Sequence, residues 1–370
     1  MRVAIVHDWM TGMRGGEKVL LSLLELFPDA DIFTLVYSPD RMDPVFKNSK
    51  ITTSPLQHLP CGKTKYQYYL PLYWGLISGF DLSGYDLIIS SSSACAKWVR
   101  NPKNVIHVCY CHTPMRYIWD LFDDYFGPST FWPIRWFARL FRPYLQWCDL
   151  KSNQGVTRFL ANSTEVQSRI KRIYGRESDV VHPPVDVERF KVKNSKGDYF
   201  LVISALVPYK RVDLAVKVCS KRNWPLVIVG KGSEEKKLKL IAGPTVTFKG
   251  WASDDDMPQY YEKAKALLFP GKEDFGIVPV ESMASGCPVI AFGEGGILDS
   301  VEDGKTGIFF SEQTEQALEA AIEKFETMTF DSQEMRQRAN LFSKARFLFK
   351  TQVYFRRLFD IPTIPGNDKI

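Results

Sequence analysis

Residues 267–296 read LLFPGKEDFGIVPVESMASGCPVIAFGEGG. An apolar run, Ala266–Pro270, enters this stretch, and a second, Pro288–Phe292, leaves it. Between them stand Gly276 and Pro279, which stop one helix from running through both Glu273 and Glu281. The stretch therefore reads as strand, loop, helix, strand. Glu273 falls on the loop after the first strand. Glu281 falls in the first turn of the helix, which continues through Ser282-Met283-Ala284. Both flanking strands are continuously apolar rather than alternating, so both of their faces are buried, as in a parallel sheet covered by helices.

The same alternation fills the chain. Val3–Val6, Asp31–Tyr37, Asp86–Ser90, Val105–Tyr110, Phe159–Asn162, Phe200–Ser204 and Pro225–Gly230 are further short apolar runs, and amphipathic segments such as Glu17–Phe27, Val212–Lys221 and Thr314–Phe325 separate them. The pattern starts twice. His182-Pro183-Pro184 closes the first run, the polar stretch Lys191–Asp198 reads as a linker, and Tyr199–Ser204 opens the second run. The expected fold class is α/β with two doubly wound, Rossmann-like domains, residues 1–192 and 197–344. Ligands of such sheets bind outside the carboxyl ends of the strands.

A net charge of +6 suits an anionic substrate or an anionic membrane surface and falls short of a nucleic-acid signature. The cysteine count of seven is odd, and Cys109 and Cys111 have neither CxxC nor zinc-knuckle spacing, so all are expected as thiols. Val3–Val6 follows the first two residues directly and reads as a strand rather than a signal peptide. The apolar stretch Leu70–Phe80 contains Pro71 and two glycines and is too short to span a bilayer. The expected location is cytoplasmic, with attachment to a membrane face as an option.

Three loops carry anion-binding chemistry. In the first, the turn Phe275-Gly276-Ile277 opens a helix whose free N–H groups can seat a phosphate or sugar hydroxyls; an acidic loop with Glu281 as a dipole partner is the plainer reading. In the second, Ser204–Arg211, the basic pair Lys210-Arg211 follows a strand and can grip a diphosphate, or merely form a solvated helix start. In the third, Gly15-Gly16 precedes the helix that begins near Glu17, although any tight turn can hold two glycines. His112 follows the strand Val105–Tyr110, where loops carry chemistry; a satisfied structural histidine is the alternative. Asp254-Asp255-Asp256 resembles an Asp-x-Asp metal motif but follows Ser253 and precedes a helix, so a cap with an acidic turn is expected and no metal site.

The stretch from Leu267 to Gly296 closely resembles the donor site of retaining group 1 glycosyltransferases with the GT-B fold. The run CHTPMRYIWD around His112 is similar to polysaccharide mannosyltransferases of that family, such as those of O-antigen and capsule synthesis. The resemblance implies a nucleotide-sugar donor in an interdomain cleft, no cofactor and no metal. It implies that His112 and Glu273 contact the transferred sugar, that Glu281 holds the ribose, and that the Phe275-Gly276-Ile277 backbone binds sugar and phosphate. It further implies that Lys210 and the Gly15-Gly16 turn contact the diphosphate. Ala205 stands where the family usually has arginine and Arg211 where it usually has glycine, so Arg211 is expected to supply the missing charge. Arg116 is a candidate acceptor or phosphate contact. Residues 345–370 are expected to fold back as a helix on the first domain. The implied reaction is retaining transfer of mannose from GDP-mannose to a glycan or lipid-linked saccharide acceptor, with the departing phosphate accepting the acceptor's proton. A UDP-sugar donor and a silent sugar-nucleotide or glycan-binding protein are the alternatives. An NAD-dependent oxidoreductase is disfavoured because no GxGxxG follows the first strand.

Two aromatic segments remain. Lys65–Phe80 is one. The other, Phe131–Trp147, sets Arg135, Arg139 and Arg142 at helical spacing on one side and Phe131, Ile134, Phe137, Leu140, Phe141 and Tyr144 on the other. Such a helix fits a headgroup layer, or a core helix with a solvated basic face.

Overall fold

The computed structural model describes residues 1–103, 105–127, 130–192 and 197–360. The middle of the expected linker and the end of the 345–370 segment lie outside the described residues. Among the described residues the chain divides into two compact units: Met1–Pro183 with residues 348–360, and Pro184–Phe347.

In the first unit the strands are β1 (Val3–His7), β2 (Asp31–Thr34), β3 (Ile51–Thr53), β4 (Leu87–Ser92), β5 (Ile106–Cys111), β6 (Arg158–Ala161) and β7 (Ser178–Val180). They form one sheet in the order β3-β2-β1-β4-β5-β6-β7, every neighbouring pair parallel. β1 and β4 are buried throughout, which is why their sequences do not alternate. The strand order reverses between β1 and β4, where an open α/β sheet leaves a crevice at its carboxyl edge. Asp8, just past β1, fixes that edge. Its buried carboxylate accepts the backbone N–H groups of Ser93 (2.6 Å), Ala94 (3.0 Å), Cys95 (2.8 Å) and Ala96 (2.6 Å), and the Ser93 hydroxyl (2.9 Å). The chain beyond Leu348 continues the helix Lys344–Leu358, and Phe355 meets Phe27 edge-on at 5.1 Å within this unit.

The second unit has β8 (Tyr199–Ile203), β9 (Leu226–Val229), β10 (Val246–Gly250), β11 (Ala264–Phe269), β12 (Val289–Phe292) and β13 (Gly307–Phe310), in the parallel order β10-β9-β8-β11-β12-β13. Two apolar layers cover its faces. Leu201, Leu267 and Val289 point into one, and Val202, Leu268 and Ile290 into the other. The reversal lies between β8 and β11, so the loops after these two strands share a carboxyl-edge crevice.

The aromatic segment of the first unit is the helix Trp132–Ser152. Its inward side is polar at one point. Asp149 is fully buried and takes Lys97 Nζ (2.7 Å) and the Trp98 indole N–H (3.1 Å) on one oxygen, and the Trp119 indole N–H (2.7 Å) and Tyr174 hydroxyl (2.9 Å) on the other. The three arginines do not share one solvated face: Arg139 is exposed and Arg135 half-buried. Arg142 turns inward, donating to the carbonyls of Ile118 (2.9 Å) and Trp119 (3.3 Å) and lying 4.4 Å over the Phe122 ring. Trp132, Trp136, Phe137, Leu140, Tyr144 and Trp147 are left exposed, Trp132 by 73%. Among the described residues no helix is long and apolar enough to cross a membrane.

Removing one partner of a buried pair strands the other charge. Asp149→Ala is therefore expected to cost about 3–5 kcal/mol, read as a lower guanidinium midpoint of the first unit's unfolding transition. Loss of less than about 1 kcal/mol would mean that the pair is no more than a surface contact.

Candidate functional site

In the second unit the loops after β8 and β11 come together. Lys210 ends the turn Pro208–Lys210, and its ammonium forms an ion pair with Glu273, both side chains largely enclosed at 15% and 19% exposure. The approach is backbone-close: a Cβ on Gly271 would lie 2.9 Å from the Lys210 Cα. On the other side, the Glu273 carbonyl accepts the Gly296 N–H at 2.9 Å, and Glu273 bridges Gly295. A Cβ on Gly295 would stand 2.5 Å from the Glu273 carbonyl oxygen, and one on Gly296 would stand 2.0 Å from that of Asp274. The two glycines make room for the loop that carries Glu273.

Gly276 adopts φ +90°, a conformation costly for any residue with a Cβ, and starts the helix Ile277–Ala284. No single helix runs through both glutamates, as expected; Pro279 sits in the first turn of the helix, where its missing N–H would have had no intrahelical partner. Glu281 consequently lies one turn in rather than in the first turn. It is buried and accepts the Tyr261 hydroxyl at 2.9 Å. Burial first, and then the Glu281 carboxylate, push the Tyr261 phenol well above its ordinary value, so it remains a donor. The Phe275 side chain packs in the core, 5.6 Å from the Phe342 ring, which leaves its backbone at the turn. Arg211 has φ +51° and its Nε lies 3.2 Å from Asp213. The glycine usual at this position would take that backbone without strain.

Ser253 caps the turn Asp254–Asp256, accepting the Asp256 N–H, and Asp254 pairs with Arg189 at 3.2 Å. These acidic residues are held in a capped turn, and no group of three or more metal-ligating side chains occurs among the described residues.

In the first unit His112, Gly16 and two residues that the sequence reading missed form one cluster. His112 Nε2 is 2.8 Å from Ser91 Oγ, and Ser91 Oγ is 3.1 Å from His7 Nδ1. His7 Nε2 is 3.9 Å from Glu17, whose other oxygen accepts the Arg14 N–H at 3.0 Å at the start of the helix Gly15–Leu26. A Cβ on Gly16 would meet the His7 ring at 3.4 Å and the His112 ring at 3.7 Å. His7 and Ser91 face each other because β1 and β4 pair in register, His7 opposite Ser91; no local motif reports this. His107 one register away shows the structural alternative. It is fully enclosed, bonded to Ser90 at 2.8 Å, and burial pushes it down to about 4. Arg116 is half-buried on the turn after His112, its carbonyl accepting the Leu121 N–H at 2.9 Å.

Burial alone would raise the Glu17 carboxyl, but the His7 hydrogen bond and charge, with Arg14, hold it below its ordinary value. A depressed carboxylate contributes stability above its unfolded pKa and loses it as the pH falls through the lower folded value. Glu17→Gln is therefore expected to lower stability by about 1 kcal/mol at pH 7, with the difference from the parent vanishing in acid below the usual glutamate range. Thermal melts at pH 7 and in that acid range check this, and a difference that grew on acidification would refute it.

Two family models match. Residues 185–342 match the model described as glycosyl transferases group 1, and residues 13–189 match that of glycosyltransferase family 4. A D-inositol 3-phosphate glycosyltransferase of Acidothermus cellulolyticus is 28% identical over 185 residues, 41% of each chain. The O-antigen chain mannosyltransferase RfbU of Salmonella typhimurium is 31% identical over 145 residues, 35% of this chain and 40% of the relative. The chain thus aligns with about two-fifths of the length of these curated relatives. In fold, the chain is similar to Anabaena Alr3699/HepE solved in complex with UDP, with a TM-score of 0.70 at 17% identity over 96% of this chain and 100% of that one. Two adjoining family models and two doubly wound sheets agree: the chain joins a glycosyltransferase family 4 domain to a glycosyl transferases group 1 domain and has the two-domain GT-B fold.

Proposed function

We propose that this chain moves a mannosyl group from GDP-mannose to a glycan or lipid-linked saccharide acceptor, with retention and without a metal ion. One observation carries the reading. Lys210 and Glu273 stand side by side where the second sheet reverses, beside the N–H end of the helix Ile277–Ala284. A cation and a helix N-terminus are what a leaving diphosphate needs, since its charge grows as the glycosidic bond breaks. Lys210, Arg211 and the Phe275-Gly276-Ile277 backbone take that role, Glu281 holds the ribose, and Glu273 and His112 hold the sugar. The Gly15-Gly16 helix start offers a second set of N–H groups to the diphosphate, and Arg116 serves the acceptor. The bond from the anomeric carbon to the diphosphate oxygen breaks as the acceptor oxygen bonds to that carbon. The departing phosphate takes the acceptor's proton, so no protein nucleophile is needed. The mannosyl choice is supported by the run around His112 and by the likeness to RfbU.

A thermal-shift panel of nucleotide sugars with EDTA present tests the donor. GDP-mannose should stabilise by about 2–3 kcal/mol at a hundredfold excess over its Kd and release GDP on turnover. Stabilisation by a UDP-sugar alone would replace the donor, and binding without any nucleotide release would leave a sugar-nucleotide-binding protein. In the same assay Arg211→Gly should raise the ligand-free melt by relieving about 1 kcal/mol of left-handed strain, while weakening the donor roughly tenfold by removing a charge-assisted bond. Unchanged donor affinity would end the role given to Arg211.

We also infer peripheral attachment to an anionic membrane surface. Exposed aromatics beside Arg139 support this, being the composition of a helix that lies among headgroups. The chain should co-sediment with phosphatidylglycerol vesicles at low salt. Trp132→Ser/Trp136→Ser should reduce the bound fraction several-fold, and no binding by the parent would end the inference.

A further inference from the structure

Two histidines meet one hydroxyl at the carboxyl edge of the first sheet. His7 Nδ1 lies 3.1 Å from Ser91 Oγ, and His112 Nε2 lies 2.8 Å from the same oxygen. Ser91 is fully enclosed and His7 is buried, while His112 is half-buried, so the row of groups opens only at the His112 end. A hydroxyl owns one proton. Ser91 therefore donates to one ring and accepts from the other, and the form of one ring fixes the form of its neighbour.

Glu17 decides the direction. Its carboxylate is buried; one oxygen accepts the Arg14 N–H at 3.0 Å, and the other lies 3.9 Å from His7 Nε2. A carboxylate presents only lone pairs. In an enclosed site it repels a second lone pair at that distance and attracts an N–H. The proton of a neutral His7 hence sits on Nε2, and its Nδ1 is an acceptor. Ser91 donates to that Nδ1, which leaves the Ser91 oxygen to accept from His112 Nε2–H. The lone pair of His112 is then on Nδ1. His107 shows the converse case. Its Nδ1 lies 3.2 Å from the Gly155 carbonyl, which can only accept, so Nδ1 carries the proton and Nε2 accepts from Ser90 at 2.8 Å. Two histidines of one strand and the turn after it thus take opposite forms, each set by the group behind it.

We propose that Glu17, His7 and Ser91 are positioning residues that hold His112 in its Nε2–H form, so that its Nδ1 acts as a hydrogen-bond acceptor toward the transferred sugar. The proposal rests on the reading that His112 meets that sugar. A group that meets Nδ1 must donate to it. A sugar hydroxyl does so; a fluorine or a hydrogen in its place does not. The preference for a hydroxyl at that point is set from behind, by side chains on β1, β4 and the helix Gly15–Leu26.

The test uses the full chain with the rings of its five histidines labelled with nitrogen-15. Long-range proton–nitrogen spectra are recorded at pH 8, above the usual imidazole value of about 6.5. The two signals that His112→Gln removes are those of His112. In the ligand-free parent, Nε2 should have the shift of a protonated nitrogen and Nδ1 that of a lone-pair nitrogen. Ser91→Ala and the isosteric Glu17→Gln should each move both shifts toward the average of the two forms. A protonated Nδ1 in the parent, or His112 shifts that neither substitution moves, would overturn the proposal.

Binding supplies the second arm. Ser91→Ala should weaken GDP-mannose about three- to tenfold and leave GDP unchanged, whereas equal weakening of both would reduce Ser91 to a structural role and overturn the proposal. Of the monodeoxy analogues of GDP-mannose, the one whose penalty shrinks in Ser91→Ala marks the hydroxyl that Nδ1 takes. Its deoxyfluoro counterpart should bind the parent no better than the deoxy form does; tighter binding would mean that His112 donates, against the proposal. The two arms fail separately. A parent that binds no GDP-mannose sinks the donor reading while the nitrogen shifts still decide the form of His112. Intact GDP-mannose binding with a protonated Nδ1 keeps the donor reading and sinks the positioning role.

Discussion

Asp149 is enclosed on every side, and its carboxylate is shared among Lys97, Trp98, Trp119 and Tyr174. Those donors come from the segment after β4, the segment after β5 and the turn of helix that follows β6. One side chain thus ties the helix Trp132–Ser152 to three neighbouring connections at the carboxyl edge of the first sheet. A buried ion pair adds little net stability, because desolvation offsets attraction, but it tolerates few alternative geometries. That matters for the other face of the helix. Leu145 and Cys148 join the core and Phe141 packs against it, while Trp132, Trp136, Phe137 and Leu140 stay outside.

The second unit reaches its arrangement by a different route. There the loops after β8 and β11 are pressed together at backbone distance, which glycine alone permits. Gly271 lies against Lys210, and Gly295 and Gly296 lie against Glu273 and Asp274. The functional groups are neighbours because the positions beside them have no side chain. This is precision of a steric kind, in which a single added carbon at Gly296 would overlap a carbonyl oxygen and push the loop that carries Glu273.

The parallel architecture was legible because it is written in continuous apolar runs, and β11, its loop and β12 stand close to where residues 267–296 put them. Short edge strands such as β3 and β7, three residues each, carry too little apolar sequence to announce themselves. Lys210, Glu273 and Gly276 were legible as loop residues with chemistry at strand ends. The His7–Ser91–His112 chain was not, since it joins residues 84 and 21 positions apart through strand register, and a serine in a buried strand carries no local signal. Nor were Gly295 and Gly296, because the sequence of a tight turn does not say what it turns against. Arg142 misled for a third reason. A long side chain can fold inward onto carbonyls, and helical spacing alone cannot say when it does.

Charge in the second site is balanced within the protein. Lys210 has Glu273, Arg211 has Asp213 at 3.2 Å, and Lys272 has Glu294 at 3.1 Å. An anionic ligand therefore enters by exchange, taking over a cation that a carboxylate already holds. For Lys210 the exchange is the most consequential, because both members of its pair are more than four-fifths enclosed. A neutral sugar alone cannot displace the glutamate from the lysine. In the proposed donor site a diphosphate can, since it brings more charge than the carboxylate it replaces, and the released Glu273 would then accept from the sugar hydroxyls. Under the proposed donor site, this coupling makes sugar recognition by Glu273 conditional on the diphosphate, which is a selection rule for an intact nucleotide sugar over either of its halves.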